Sequence, residues 1–297
     1  MPKDYEFISP AKINLFLRVV GKQPDGYHQL ISLMCPVSLH DRINIQFQTK
    51  QMQITCTNPQ IPINSNNLAL KAAEHFFQAT AYDDCLCMAI EKNIPVGAGL
   101  GGGSSNAATV LMALNQFYQS PLSLKQLKKI ALTLGADVPF FLEQAVSLVS
   151  GIGENLHHVD IDIRYPLIIV YPGFSVSTAW AFKNFKFSLT KEKLNDIKID
   201  LISRYKNIGN VNWLSDIHND LEEVSFRKYP ILSEIKENLR NLGAVESVMS
   251  GSGSAIIGIF SDEIKCQNAL QQLLRQETWQ IFASHVTYNS SLTLINK

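Results

Sequence analysis

The chain lacks any excess of charge of one sign, any Cys-x-x-Cys pair and any apolar run long enough to cross a bilayer. Lysine plus arginine and aspartate plus glutamate number 26 each in 297 residues. No global field therefore favours nucleic acid or an anionic membrane, and any attraction for an anion has to be local. The five cysteines, Cys35, Cys56, Cys85, Cys87 and Cys266, are odd in number and scattered. That usage argues against a disulfide framework and a zinc site, and it fits a reducing cytoplasm. No segment reaches 18 apolar residues, and Asp4, Glu6, Pro10 and Lys12 fall where a signal peptide needs an apolar core. A soluble cytoplasmic protein is expected.

Two further absences concern one stretch, Pro95-Val96-Gly97-Ala98-Gly99-Leu100-Gly101-Gly102-Gly103-Ser104-Ser105, in which five glycines fall within seven residues. Apolar positions then recur at helical spacing through Ala107, Val110, Leu111, Leu114 and Phe117. A glycine loop feeding a helix N-terminus is an anion site, because the first amide N–H groups have no partner inside the helix. Ser104 or Ser105 is expected to cap that helix. The loop lacks the terminal Gly-Lys-Ser/Thr of a Walker A sequence, so that chemistry is excluded. Gly97-x-Gly99-x-x-Gly102 matches a dinucleotide fingerprint, yet no Asp or Glu occurs between Glu91 and Asp137 to hold a ribose. The first acid after the loop is Asp137, in Gly135-Ala-Asp-Val-Pro139. From the residues alone it is either a turn aspartate bonding its own backbone or a catalytic group.

The rest of the chain reads as two α+β halves that meet near residues 155–165. Alternation predicts a strand over 5–20, a turn at Gly21–Gly26 and β structure over 30–57. A helix is expected from Asn66 to Thr80, a strand at Leu86–Glu91, and a helix capped by Ser123 running to about Leu134. Further strands are predicted at Val146–Val149, Leu167–Tyr171, Val245–Met249 and Ala255–Phe260. A polar helical region with an Asn/Lys-rich stretch lies near 183–210. An amphipathic helix carrying Ile264, Leu270, Leu273 and Leu274 precedes a final strand. A second glycine cluster, Ser250-Gly251-Ser252-Gly253-Ser254, joins two of these strands.

Three separated motifs carry a family resemblance. Pro10-Ala-Lys12-Ile-Asn14-Leu-Phe-Leu with Asp25-Gly-Tyr27-His28, the stretch from Pro95 to Ala108, and Met249-Ser-Gly-Ser-Gly-Ser254 resemble, in order and spacing, the three motifs of the GHMP kinases. Gly151-Ile-Gly-Glu154, Tyr171-Pro-Gly-Phe174 and Asn219-Asp220-Leu221 agree with it too. The resemblance implies an α+β, two-domain fold: an N-terminal ribosomal protein S5 domain 2-like α/β domain over 1–157 and a C-terminal ferredoxin-like domain over 158–297. It places the substrate between them. It also implies ATP as co-substrate, Mg²⁺ with it, and transfer of the γ-phosphate to an alcohol.

Within the family the Tyr27-His28 pair and the triple glycine resemble the branch acting on 4-(cytidine 5'-diphospho)-2-C-methyl-D-erythritol at its 2-hydroxyl, in the non-mevalonate route to isoprenoid precursors. A sugar, homoserine or mevalonate-type kinase and a non-catalytic nucleotide-binding homologue are the alternatives. No nucleic acid or membrane partner is expected, and the assembly is a monomer or a homodimer.

The resemblance assigns residues as well. Asp137 is the expected base, with Lys12 as its partner; by itself Lys12 reads as a solvated strand lysine. Asn14, two residues on, shares its strand face. Tyr27 and His28 are expected to bind cytosine, with Phe182 closing a stack, although Trp180 is close enough to compete. Thr178, Gly251 and Gly253 are expected beside the substrate phosphates. The loop residues 95–105, with Asn67 and Lys92, are expected to bind ATP. A helix cap and a solvated lysine are the alternatives for Asn67 and Lys92. Ser104 or Ser105 is the candidate Mg²⁺ ligand.

Overall fold

The computed structural model describes residues 4–187, 190–206, 212–275, 278–288 and 295–296. Strands β1 (Asp4–Lys22) and β2 (His28–Phe47) form a long antiparallel hairpin, closed where Gln23 N donates to the Tyr27 carbonyl at 2.7 Å. Next come β3 (Gln53–Cys56), α1 (Leu68–Thr80) and β4 (Leu86–Glu91). Three helices follow: α2 (Gly102–Phe117), α3 (Leu124–Leu134) and α4 (Val138–Glu143). Strands β5 (Ser147–Gly151), β6 (Asn155–His158) and β7 (Leu167–Tyr171) lead to α5 (Thr178–Asn184) and α6 (Lys191–Lys206). After β8 (His218–Asn219) come α7 (Glu222–Lys228) and α8 (Ile231–Asn241). The chain continues through β9 (Glu246–Met249), β10 (Ile256–Ile259), α9 (Glu263–Leu273), β11 (Gln280–Ser284) and β12 (Ile295–Asn296).

The first sheet runs β12-β1-β2-β4-β3, with β5 and β6 continuing from β2, and β8 lying parallel to β1. The second runs β11-β7-β10-β9 and is antiparallel throughout. In chain order that is 4-1-3-2, the strand order of a ferredoxin-like sheet. Why β7 reads as an unbroken apolar run is clear from its two faces. Leu167 and Ile169 pack towards the first sheet, against Ile13, Leu33 and Val37, while Ile168 and Val170 pack under Leu232, Ile235 and Leu239 of α8. Alternate side chains of a strand point to opposite faces, so a strand covered on both sides carries no polar positions. The other face of the first sheet is covered by α1–α4 through Phe76, Leu111, Leu114 and Phe140.

Local signals account for most of the boundaries. Ser123 accepts from Gln126 N and Gln126 answers, a full capping box for α3. Some elements differ from expectation, and α7 and α8 were not predicted. The turn at Gly135–Pro139 runs straight into α4, with Pro139 in its first turn, where a missing N–H costs nothing. In α9 the buried face is Cys266, Ala269 and Leu273, whereas Ile264 is 75% exposed and Leu274 60%. The two residues at the helix ends had set the wrong face. Part of the Asn/Lys-rich stretch near 183–210, at 188–189 and 207–210, lies outside the described residues.

Candidate active site

The glycine stretch joins β4 to α2. The helix begins three or four residues earlier than expected. Gly101, not Ser104 or Ser105, is its N-cap, with φ 71° and no side-chain cap bond. A Cβ at Gly101 would lie 2.8 Å from the Phe141 ring, so no serine can stand there. Ser105 turns inward: its N–H donates to the Gly101 carbonyl at 2.9 Å and its Oγ accepts from Ser9 at 2.8 Å. It is fully buried, which removes it from the loop's ligand-facing set, whereas Ser104 lines the cleft.

The second glycine cluster packs against the first. Ser250 Oγ donates to the Gly99 carbonyl at 3.0 Å, Ala255 N to the Ala98 carbonyl at 3.0 Å, and Asn14 N to Ser250 Oγ at 3.2 Å. A Cβ on Gly99 would sit 2.1 Å from the Ser250 carbonyl oxygen, closer than any real contact. Asn219 holds the second cluster from behind, its Nδ2 donating to the Met249 and Gly251 carbonyls at 2.7 Å each. These bonds bring the three motifs, far apart in the chain, to one place.

Between the loops lies a cavity of about 560 Å³, lined at its centre by Lys12, Asn14, Ser32, Asp137 and Gly251. Lys12 Nζ stands 3.9 Å from Asp137 Oδ2, the lysine side chain 5% exposed and the carboxylate 41%. Lys12 donates to Asn14 Oδ1 at 2.6 Å, Asn14 Nδ2 to Ser32 Oγ at 2.7 Å, and Ser32 to the Phe16 carbonyl at 2.6 Å. The chain of bonds fixes which way the Asn14 amide points. Burial pulls the Lys12 pKa below its ordinary value, and the Asp137 charge opposes that. A buried cation facing a half-exposed carboxylate across the cavity is equipped to orient a hydroxyl, accept its proton and offset developing negative charge.

At one end of the cavity stand Phe182, Thr178 and Ser252, with Thr178 Oγ1 and Ser252 Oγ 2.9 Å apart. His28 stacks on Phe182 with centroids 5.3 Å apart and planes at 26°, and on Phe187 at 6.0 Å and 28°. Trp180 packs towards Tyr229 under Lys228, so Phe182 is the ring that reaches the cavity. Tyr27, expected in the same stack, is 62% exposed and makes no ring contact with Phe182 among the described residues. Its N–H donates to Asp25 Oδ1 in the hairpin turn. Gly253 does not line the cavity; it closes the second loop, where a Cβ would meet Met249 Sδ at 2.7 Å.

At the other end Ile61, Leu68, Lys92, Pro95 and Val96 form the wall. Asn67 lies just behind it as the α1 cap, accepting from Ala69 N at 2.9 Å and donating to the Pro62 carbonyl at 2.8 Å. Its amide is spent on holding the 62–67 loop, so it shapes this wall without facing the cavity. Lys92 is no solvated lysine: its ammonium is buried 2.5 Å from Asp41 Oδ2. The sequence reading missed Asp41, Ser32 and Phe187. Asp41 sits in a polar interruption of β2, and only the fold brings it under the glycine loop.

Comparison with known proteins decides the family. Residues 67–144 match the GHMP kinases N terminal domain model, and residues 193–277 match the GHMP kinases C terminal model. The chain belongs to the GHMP kinase family. It is 41% identical over 279 residues to the 4-diphosphocytidyl-2-C-methyl-D-erythritol kinase of Syntrophotalea carbinolica, covering 93% of this chain and 97% of that one. It is 42% identical over 257 residues to the Clostridium botulinum enzyme of the same name, covering 86% and 91%. The crystal structure of a 4-(cytidine 5'-diphospho)-2C-methyl-D-erythritol kinase superposes with TM-score 0.75 at 31% identity, over 95% of this chain and all of that one. A homoserine kinase from Cytophaga hutchinsonii superposes with TM-score 0.78 over 99% and 98%, at only 16% identity. That second likeness speaks for the two-domain GHMP fold and not for a substrate. As a GHMP kinase the chain uses ATP and a small-molecule acceptor, and no described helix is long and apolar enough to cross a membrane.

Proposed function

We infer that this chain transfers the γ-phosphate of ATP to the 2-hydroxyl of 4-(cytidine 5'-diphospho)-2-C-methyl-D-erythritol, releasing ADP and the 2-phosphate. The observation that carries the reading is the Lys12–Asp137 pair in the cleft between the two glycine clusters, in a chain about 40% identical to curated kinases of that name. In the reading, Asp137 takes the proton of the acceptor hydroxyl. Lys12, steered by Asn14 and Ser32, orients that hydroxyl and offsets charge on the migrating phosphoryl group. Phosphoryl transfer depends mostly on such positioning and charge stabilisation, because its transition state is loose and anionic.

The N–H groups of Gly97–Ser104 hold the ATP phosphates at the helix start, and the wall of Ile61, Leu68 and Lys92 receives the base. His28 and Phe182 receive cytosine; Tyr27 joins them by swinging in from solvent. Thr178, Ser252 and Gly251 face the diphosphate. Among the described residues no group of three or more His, Cys, Asp or Glu is placed to hold a metal. Ser104, which lines the cleft at the helix start, is the protein ligand for a Mg²⁺ otherwise carried by nucleotide oxygens and water; Mg²⁺ would neutralise charge on the β- and γ-phosphates. The domains divide at 157/158, and the enzyme works in the cytoplasm as a monomer or homodimer.

A coupled ADP-release assay tests the reading. Turnover is expected with the cytidyl substrate and not with mevalonate, homoserine or galactose at equal concentration. Equal or faster turnover of any of the three overturns it. ATP binding without transfer to any acceptor would instead favour a non-catalytic homologue.

A further inference from the structure

Beneath the glycine loop lies a carboxylate that no step of the reaction uses. Asp41 is fully buried and takes four hydrogen bonds from two segments, residues 92–94 and α2. Its Oδ1 accepts from Asn93 N and Ile94 N at 2.8 Å each; its Oδ2 accepts from Lys92 Nζ at 2.5 Å and Asn106 Nδ2 at 2.9 Å. Asn93 and Ile94 launch the glycine loop and Asn106 lies in the first turns of α2, so one side chain ties the loop at both ends. Asp41 itself is absent from the cavity wall, whereas Lys92 and Gly102 form part of it. A Cβ on Gly102 would be 2.7 Å from Lys92 Nζ, which puts the ammonium against the first residue of the helix.

A cation at the positive end of a helix is disfavoured by the helix dipole, and burial disfavours it further. A buried ion pair is also weak as a source of stability, since desolvation consumes most of the attraction. Fold stability alone therefore accounts poorly for the pair. A cation kept beside an anion-binding helix start accounts for it well: Asp41, outside the cavity wall, compensates Lys92, which forms part of that wall.

We infer that Asp41 is a positioning residue of the nucleotide half-site, holding the Lys92 ammonium and both ends of the glycine loop so that nucleotide binding depends on it and phosphoryl transfer from bound nucleotide does not. The inference rests on the cleft's wall of Ile61, Leu68 and Lys92 being the ATP end.

The test uses the full chain with Asp41→Asn, which keeps the shape and loses the charge. The quantities are Kd for a non-hydrolysable ATP analogue with Mg²⁺, KM for ATP, KM for the cytidyl substrate, kcat and Tm. Loss of a charge-assisted contact is expected to raise Kd and KM for the nucleotide about tenfold or more. The cytidyl KM should stay within about twofold and kcat within about threefold, differences below 1 kcal/mol. The double variant Asp41→Asn, Lys92→Met should bind nucleotide about as weakly as Asp41→Asn, because the two act as one unit. If Asp41→Asn does not fold, the double variant, which leaves no unpaired charge, carries the same measurement.

Nucleotide constants unchanged in either variant overturn the inference. So does a uniform loss in kcat and both KM values accompanied by a fall in Tm, which is what a purely structural role produces. Wild-type enzyme that binds the analogue but ignores the cytidyl substrate overturns the substrate reading alone. Wild-type enzyme that binds no nucleotide overturns both.

Discussion

Lys12 and Asp137 show how surroundings divide labour between two charged side chains. The lysine is buried and pinned by Asn14, so its cost of desolvation is met inside the protein, while the aspartate keeps part of its surface towards the cavity. A base needs that access, and an orienting cation needs the rigidity. Asp137→Asn is therefore expected to lower kcat by about 10²–10⁴ with nucleotide affinity little changed; kcat and the Kd of an ATP analogue check it, and comparable kcat values would sink the base assignment. His28 gives a second prediction at this scale. Burial, with Lys22 nearby, holds its imidazole below the usual value, so it stacks on Phe182 in the neutral form at pH 7. KM for the cytidyl substrate should be flat above pH 7 and climb as the pH falls below about 6.5 and the ring gains its proton. A pH series on wild type and His28→Phe checks this, and an acid limb that survives in His28→Phe would point to another group. Lys12, Asp137, Asn14 and His28 were legible as residue types at motif positions. Asp41, Ser32 and Phe187 were not, because each acts through partners 16 or more residues away in the chain.

Among elements, the glycine loops and the strands beside them depend on contacts that no single segment contains. Gly99 adopts φ +80° directly under the Ser250 carbonyl, so Gly99→Ala introduces both a strained backbone and an overlap. The strain costs about 1–2 kcal/mol by itself, and relief of the overlap must part the two loops. Turnover is expected to fall by more than about tenfold, the effect of 1.4 kcal/mol in the transition state. Gly243→Ala, at φ +97° with open space around it, should lose stability alone; steady-state rates and melting curves of the two separate strain from overlap. The parallel pairing of β8 with β1 carries a pH signature. Burial works against ionisation of Asp220, but the His218 side chain, Val19 N–H and Arg18 outweigh it and hold the carboxyl below its usual value. A depressed aspartate contributes stability that is complete above its unfolded pKa of about 3.9 and is lost as pH falls towards its folded pKa. Asp220→Asn should cost about 1–3 kcal/mol at pH 7 and show a smaller further loss than wild type below pH 4, as measured by urea unfolding at pH 7 and pH 3. Element types and most boundaries followed from periodicity and caps, as with Ser123 and Asn67. The start of α2 did not, because Phe141 and not the local sequence bars a side chain at Gly101.

For the whole molecule, the cavity is built from both halves of the chain: Lys12, Asp137 and the first loop from one, Thr178, Phe182 and Gly251 from the other. A ligand that touches both stabilises them together. A ligand at about 100 times its Kd adds about 2.7 kcal/mol to unfolding, so Mg·ATP and the cytidyl substrate should each raise Tm. They should do so through one shared transition; two transitions of which a single one responds would show that the halves unfold independently. By itself the sequence determined the chemistry on offer and the kind of loop that cradles it. A missing lysine excluded one phosphate-binding scheme, missing acids argued against a second, and three ordered motifs pointed to the GHMP kinases, because motif residues are local facts of composition and spacing. Tertiary structure decided which of those residues face the cleft. It turned Ser105 and Asn67 inward, left Tyr27 at the surface, chose Phe182 over Trp180 and set Asp41 beneath the loop. These outcomes depend on packing and hydrogen bonds between segments remote in the chain, for which periodicity and spacing carry no signal.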